Sequence, residues 1–148
     1  MNNVKTWVSG EEQAKNYLLE DGFIVLAQNY KNELGEIDII AIDPIKRQET
    51  KLKERLDNNE INEKVYKRFL AQLENTLVFV EVKTRETNFL GDALYAVDMN
   101  KQRKISQTAN AFLKLNKKYK GYPARYDVIG ITKGKLTHVE NAFNDFYN

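Results

Sequence analysis

TLVFVEVKT, residues 76–84, begins as an unbroken apolar run and then places two charges, Glu81 and Lys83, two positions apart. Such a run is what a central strand covered on both faces looks like, and the strand period of two puts Glu81 and Lys83 on the same face. An upstream segment, EIDIIAI at 36–42, carries the same kind of interruption. There Glu36, Asp38 and Ile40 fall on one face and Ile37, Ile39 and Ala41 on the other. Carboxylates left unpaired beside apolar side chains are expensive or shift their pKa, so acids at such strand positions imply a cation, from a side chain or a metal ion.

Working outward, FIVLAQNY at 23–30 reads as a strand by its β-branched and aromatic content, and KNELG turns it into the 36–42 strand as a hairpin. Ahead of it, Ser9 and Glu12 have the spacing of a capping box, which starts a helix that Asp21-Gly22 stops. Ala14, Tyr17 and Leu18 form its apolar stripe, and Glu11 shares that face while Glu12 does not. Residues 45–75 are charged, good helix formers broken at Asp57-Asn58-Asn59, a pair of helices with the sparse apolar stripe Leu52, Leu56, Val65, Phe69, Leu73. Phe89 to Asp92 read as a loop. Residues 101–120 then carry Ile105, Ala109, Phe112 and Leu113 at helical spacing, and Gly121 and Pro123 close the helix. RYDVIGI at 125–131 and KLTHVE at 135–140 are two further strands, the last at a sheet edge. The order predicts one α/β domain over residues 1–148, a mixed central sheet flanked by helices, with a helical insertion at about 45–75.

The 148 residues suit one domain. With no Cys and one His, thiolate zinc sites, iron–sulfur clusters, a cysteine nucleophile and a Ser-His-Asp triad are excluded, leaving carboxylates, Lys, hydroxyls or a carboxylate-bound hard metal. No apolar stretch approaches the roughly 20 residues that cross a bilayer, and MNNVKTWVSGEEQ lacks a signal-peptide run, so a cytoplasmic protein without membrane contact is expected. The net charge of +2 conceals an asymmetry: residues 1–44 hold 3 basic and 8 acidic side chains, residues 99–120 hold 7 basic and none acidic. That basic helix is either a phosphate-tracking surface or a solvated face.

Oxygen-only ligation by Asp38 and Glu81 points to Mg²⁺ or Mn²⁺, with Lys83 placed to orient the attacking water or to stabilise charge on a phosphate; the structural alternative is a polar patch of ion pairs at the sheet end. Candidate phosphate contacts are Lys101 and Lys104 on the basic helix, together with Arg85 and Arg125, each of which could instead pair with Glu36 or Asp127. Tyr30 and Tyr126 read as packing residues, and His138 as structural.

Together, GEEQAKNYL at 10–18, Asn29, GEIDIIA at 35–41, VFVEVKTR at 78–85, Lys101, Lys104-Ile105, RYDVI at 125–129 and NAF at 141–143 resemble the YraN family of small bacterial proteins. That family is assigned to the PD-(D/E)XK nuclease superfamily and is similar to the archaeal Holliday-junction resolvases. The resemblance implies a restriction-endonuclease-like core and a Mg²⁺-dependent endonuclease acting on DNA, with branched DNA the preferred substrate through the likeness to resolvases, as a homodimer. It assigns the metal to Asp38 and Glu81, the catalytic Lys to Lys83, and the helix-1 acid of the resolvases to Glu11. A non-catalytic nucleic-acid-binding or protein-interaction module on the same fold is the alternative. The insertion at 45–75 has no counterpart in the family pattern; it reads as a substrate clamp, a partner-binding arm or a solvated helical hairpin.

Overall fold

The structure, a computed structural model, describes residues 8–85 and 96–146; the loop expected at Phe89 to Asp92 lies outside them. Five strands form one mixed sheet in sequence order: β1 (Ile24–Asn32), β2 (Gly35–Asp43), β3 (Thr76–Arg85), β4 (Ala124–Thr132) and β5 (Lys135–Phe143). Every neighbouring pair is antiparallel except β3 and β4, which are parallel and register Leu77 with Ala124 through to Arg85 with Thr132. A parallel pair needs a crossover, and helix α4 (Met99–Leu115) lies in that connection. The α/β architecture and the helical insertion agree with the sequence reading and are consistent with a restriction-endonuclease-like core.

The sheet is sandwiched. Helix α1 (Gly10–Glu20) lays Ala14 and Leu18 on Ile39, Ala41, Val78, Val80 and Ile129. On the opposite face, α4 packs Ile105, Ala109 and Phe112 against Ile37, Ile40, Leu77, Phe79 and Val128. This explains the apolar run of β3, whose even positions face α1 and odd positions face α4. Tyr30 and Tyr126 belong to the packing of the α4 side: Tyr30 meets Phe112 edge-on at 5.3 Å, and Tyr126 stacks on Phe79 at 5.5 Å and on Phe143 at 5.1 Å.

Three local expectations are corrected. Ile37 packs with Ile40 and not with Ile39, because β2 and β3 pair only from Ile39–Val80 to Asp43–Thr76 and part company beyond, which breaks the alternation at Asp38. The basic helix ends at Leu115 and not at 120: Asn116 caps it, its side-chain amide donating to the Phe112 carbonyl at 2.8 Å, and a short 3-10 turn covers Lys117–Tyr119. At the start of α1 the Ser9 hydroxyl accepts from the Glu12 backbone N–H at 3.2 Å as expected, but the Glu12 carboxylate pairs with Lys15 at 2.8 Å in place of closing the capping box.

The insertion is a helical pair, α2 (Ile45–Asp57) and α3 (Glu63–Leu70), joined through Asn59 at a positive φ of 59°. Because β2 enters it at Asp43 and β3 leaves it at Thr76, directly paired residues, it sits at the end of the sheet away from Asp38 and Glu81. Five residues of strand separate Asp38 from Asp43, about 17 Å, so the insertion is not a clamp over those acids. Helix α2 buries Arg47 and Leu52, whereas α3 buries nothing.

Gly35 opens β2 under α4, where an added Cβ would stand 2.9 Å from the Thr108 hydroxyl, itself fully buried and donating to the Lys104 carbonyl at 2.7 Å. Gly35→Ala is therefore expected to destabilise the fold by about 1–3 kcal/mol, as overpacking does. Adding Thr108→Ala should return part of that loss; a double variant no more stable than the sum of the two single effects, measured by urea unfolding, would show that the contact is not the cause.

Candidate functional site

The site lies where β2 and β3 part. Past Val80, β3 is paired on its β4 side alone, and the Val82 backbone N–H would be left without a partner on the β2 side. Asp38 supplies one: its Oδ2 accepts from Val82 N at 2.7 Å. A carboxylate thus takes over the strand ladder at its last rung, which fixes Asp38 at the mouth of the split.

Glu81 and Lys83 are in phase with Leu77 and Phe79 and project on the α4 side. Glu81 is buried, 7% exposed, and the ammonium of Lys101, in the first turn of α4, is ion-paired with it. Lys83 donates to the Ala96 carbonyl just ahead of α4. From the other face, α1 delivers Glu11. Its first turn is seated against the end of β3, so closely that a Cβ on Gly10 would stand 2.2 Å from the Thr84 methyl. Two helix N-termini and the gap between two strands therefore converge on one place.

The electrostatics follow from this crowding. Burial, and then the negative charge of Glu81, push the Asp38 carboxyl up to about 6, with the Val82 N–H opposing. Burial and the neighbouring Asp38 also raise Glu11 above its ordinary value, while the Asn29 side chain hydrogen-bonds it and works the other way. Glu11 and Glu81 thus bear on Asp38 from opposite faces of the split, Glu11 feeling the charge of Asp38 and Asp38 that of Glu81. Lys83 is pushed down from its ordinary value by burial and by Arg85. For Lys101, the hydrogen bond and charge of Glu81 outweigh burial and raise its pKa. Carboxyl groups whose pKa values are driven apart from the ordinary range in a cleft are a mark of functional sites.

All four sequence-predicted site residues, Glu11, Asp38, Glu81 and Lys83, therefore belong to this one end of the sheet. Among the described residues no three Asp, Glu, His or Cys side chains are grouped closely enough to hold a metal ion as a set, so the candidate ligands are the pair Asp38 and Glu81. That pair fits a hard divalent cation: the donors are all oxygen, the charge of Glu81 bears on Asp38, and a side-chain cation, Lys101, is already drawn to Glu81.

The candidate phosphate contacts fare differently. Lys101 is aimed at the cleft, as its helical position implies, but its partner is Glu81. Lys104 is exposed on α4, and Arg85 is exposed at the end of β3 with Nη1 donating to the Thr84 carbonyl at 2.9 Å. Of the two roles open to Arg125, the structure shows the ion pair: it grips both oxygens of Asp127, at 2.9 and 3.0 Å, and reaches Asp43 at 2.8 Å. Glu36, in turn, is exposed and pairs with Lys31 at 3.6 Å. His138 has the structural part expected of it, linking Tyr17 at 3.0 Å to Asp127 at 2.8 Å.

Asn29 is the residue whose part at the site the strand reading of 23–30 misses. It adopts φ 50°, the left-handed region where Asn is enriched, just after a bulge near Leu26, and so turns its amide toward Glu11. An Asn four residues before the turn of a hairpin is a weak signal on its own.

No described helix is long and apolar enough to cross a membrane. Residues 10–131 match the profile of "Uncharacterised protein family UPF0102". The chain is similar to UPF0102 proteins of Lachnoclostridium phytofermentans (33% identical over 146 residues, 99% of this chain and 98% of the relative) and of Alkaliphilus oremlandii (34% over 146 residues, 95% and 99%). A UPF0102 protein of Thermodesulfovibrio yellowstonii is 32% identical over 143 residues, 97% of this chain and 99% of that protein.

Proposed function

The chain belongs to the UPF0102 (YraN) family, and on that membership together with the geometry of the split strands we propose that it is a metal-dependent endonuclease hydrolysing DNA phosphodiester bonds. The observation that carries the reading is the Asp38–Glu81 pair where β2 and β3 part: Asp38 is anchored on the Val82 N–H, Glu81 is buried against Lys101, and burial with the charge of Glu81 raises Asp38 to about 6. Structural ion pairs alone do not require two acids to face each other.

Asp38 and Glu81 would hold Mg²⁺ or Mn²⁺, with Glu11 steadying Asp38 from the α1 side. Such a cation supplies Lewis-acid stabilisation of phosphoryl oxygens and acidifies water. Asp38, fixed by the Val82 N–H, keeps the pair from spreading apart under its own repulsion. Lys83, partly desolvated, would face the negative charge that develops on the phosphate, where a buried ammonium is worth more than in water. DNA as substrate, a branched structure and a homodimer with two sites belong to the same proposal through the likeness to resolvases.

A second reading has its own observation. Lys101 already neutralises Glu81, and Lys83 already has the Ala96 carbonyl, which is how a retained but non-catalytic fold would settle its charges. Incubation with Mn²⁺ and single-stranded, duplex, flap and four-way-junction DNA separates the two. Cleavage of any of these, together with a metal-dependent rise in thermal midpoint, supports the enzyme; neither effect with any substrate leaves the binding module.

One further result is expected if Lys101 holds the place of a cation. Lys101→Ala should tighten Mn²⁺ binding a few-fold, measured calorimetrically, since the metal no longer competes with an ammonium for Glu81. Unchanged or weaker Mn²⁺ binding would count against the shared site.

A further inference from the structure

Beyond the basic helix the chain builds a second feature that the catalytic reading does not use. Where α4 ends at Leu115, the 3-10 turn and the following Gly121-Tyr122 fold back to form an open cleft of about 800 Å³, lined by Asn110, Lys114, Lys117, Lys120, Tyr119 and Tyr122. Its rim is cationic: Lys114, Lys117, Lys118 and Lys120 are all exposed, and no acidic residue occurs between 99 and 120. Among the described residues, none of these four ammonium groups forms an ion pair with a carboxylate. The floor is aromatic. Tyr119 is buried against Phe112, its ring stacked at 6.1 Å, while Tyr122 meets Tyr119 edge to face at 5.5 Å and stays half-buried at the surface.

We propose that this cleft binds an unpaired base of single-stranded nucleic acid, stacked on Tyr122, with the flanking phosphates on Lys114, Lys117 and Lys120. Clusters of lysine alone would suit any polyanion. The aromatic floor selects a partner that brings flat rings together with closely spaced negative charge, which describes a nucleic-acid strand and not an acidic peptide. Duplex DNA keeps its bases stacked inside and offers only phosphate to the same surface. The cleft lies far from the split strands: thirteen residues of helix separate Lys101 from Lys114, about 20 Å, or about six steps at the 3.4 Å rise of a stacked strand. The inference rests on the nucleic-acid part of the proposed function and extends it. A strand leaving the candidate catalytic end would run along α4 and be held at its far end, so that substrates with a single-stranded arm are preferred.

The test measures binding of a fluorescein-labelled thymidine oligonucleotide by anisotropy, with EDTA present so that binding is read without cleavage, using the full chain. Lys117→Glu/Lys120→Glu, both exposed positions, should weaken binding at least tenfold and lower the dependence of log affinity on log salt by about 0.7 per lysine removed. Tyr122→Leu, which keeps apolar packing against Tyr119, should weaken the single strand about tenfold and leave a duplex of equal length unchanged. Circular dichroism and thermal midpoints show whether each variant is folded, and the lysine pair carries the test if Tyr122→Leu is not. The proposal is overturned if the single strand is not bound, if folded Tyr122→Leu binds like the parent, if the lysine pair changes nothing, or if poly-glutamate at equal charge displaces the strand as well as unlabelled oligonucleotide does. Failure of the catalytic reading is distinguishable: no cleavage under Mn²⁺ with Tyr122-dependent binding intact removes the nuclease and keeps the cleft, whereas cleavage with variants that bind normally removes the cleft and keeps the nuclease.

Discussion

Lys83→Ala is expected to lower metal-dependent cleavage by about 10²–10³-fold while DNA affinity in EDTA stays within a few-fold of the parent, and Glu81→Ala to bring cleavage to background. The split follows from geometry. Lys83 is partly buried in the cleft between β3 and the start of α4, where it can act on charge at a phosphate but adds little to a binding surface supplied by the exposed lysines of α4. Glu81 is one of two candidate metal ligands, and its loss leaves Asp38 alone. Single-turnover assays with Mn²⁺ against the best substrate of the panel check the rates, and anisotropy checks the affinities. A Lys83→Ala protein that cuts at the parental rate would remove Lys83 from the chemistry, and one that loses rate and affinity together would make it a binding residue.

The second large effect concerns stability. Arg125→Ala is expected to destabilise the protein by about 3–5 kcal/mol, because it removes a guanidinium that two fully buried carboxylates share, along with three of their hydrogen bonds. Asp127 would keep His138 and the Asn141 N–H, and Asp43 would keep Arg47 at 2.9 Å, while its second oxygen has no partner even in the intact protein. For a domain of this size that loss is about 10 °C in Tm. Arg125→Lys should recover only part of it, since an ammonium cannot grip both oxygens of Asp127. The pH dependence has a definite sign. Although burial opposes it, hydrogen bonds from His138 and Arg125 hold the Asp127 carboxyl below its ordinary 3.8. Its stabilising share is therefore whole above the unfolded value near 3.8 and is lost as pH falls through the lower folded value. The gap between parent and Arg125→Ala should accordingly be widest near neutrality and narrow below pH 4, read from urea unfolding across that range. A gap that grows on acidification would place the loss elsewhere.

These two experiments touch parts of the molecule that were unequally legible in the sequence. The strands and both core-facing helices follow from periodicity: β3 announces itself as a buried run, and Ile105, Ala109 and Phe112 mark the face of α4 that packs. The pair on Asp127 could be anticipated, since R-x-D on a strand puts both side chains on one face. What short-range patterns cannot carry is who else arrives. Asp43 stands four residues before Arg47, but Arg47 also joins Asp21 and Glu140 from a helix in the insertion, and no spacing rule links it to those two positions. The same holds at the candidate site. Helical position aims Lys101 at the cleft, yet only the fold shows that Glu81 meets it. Strand alternation was misleading for Ile37 because it presumes an intact ladder, and the ladder is where Asp38 intervenes. The end of α4 was misplaced for a similar reason: the apolar and basic pattern continues past Leu115, while a single amide at Asn116 stops the helix.

The direct pairing of Asp43 with Thr76 has a consequence for how this chain can be altered. Residues 44–75 leave and re-enter the sheet at neighbouring backbone positions, so the segment is a detour whose length changes little beyond loop-closure entropy, about 0.6 kcal/mol per doubling. Its two helices are unequal in this respect. The first is riveted to the body through Arg47; the second, with no buried side chain, hangs from the first beyond Asn59. The turn at Asn58-Asn59 is thus a natural port in the protein, a place where a fluorophore, an affinity tag or a guest domain can be spliced in without disturbing either the split strands or the cleft at the end of α4.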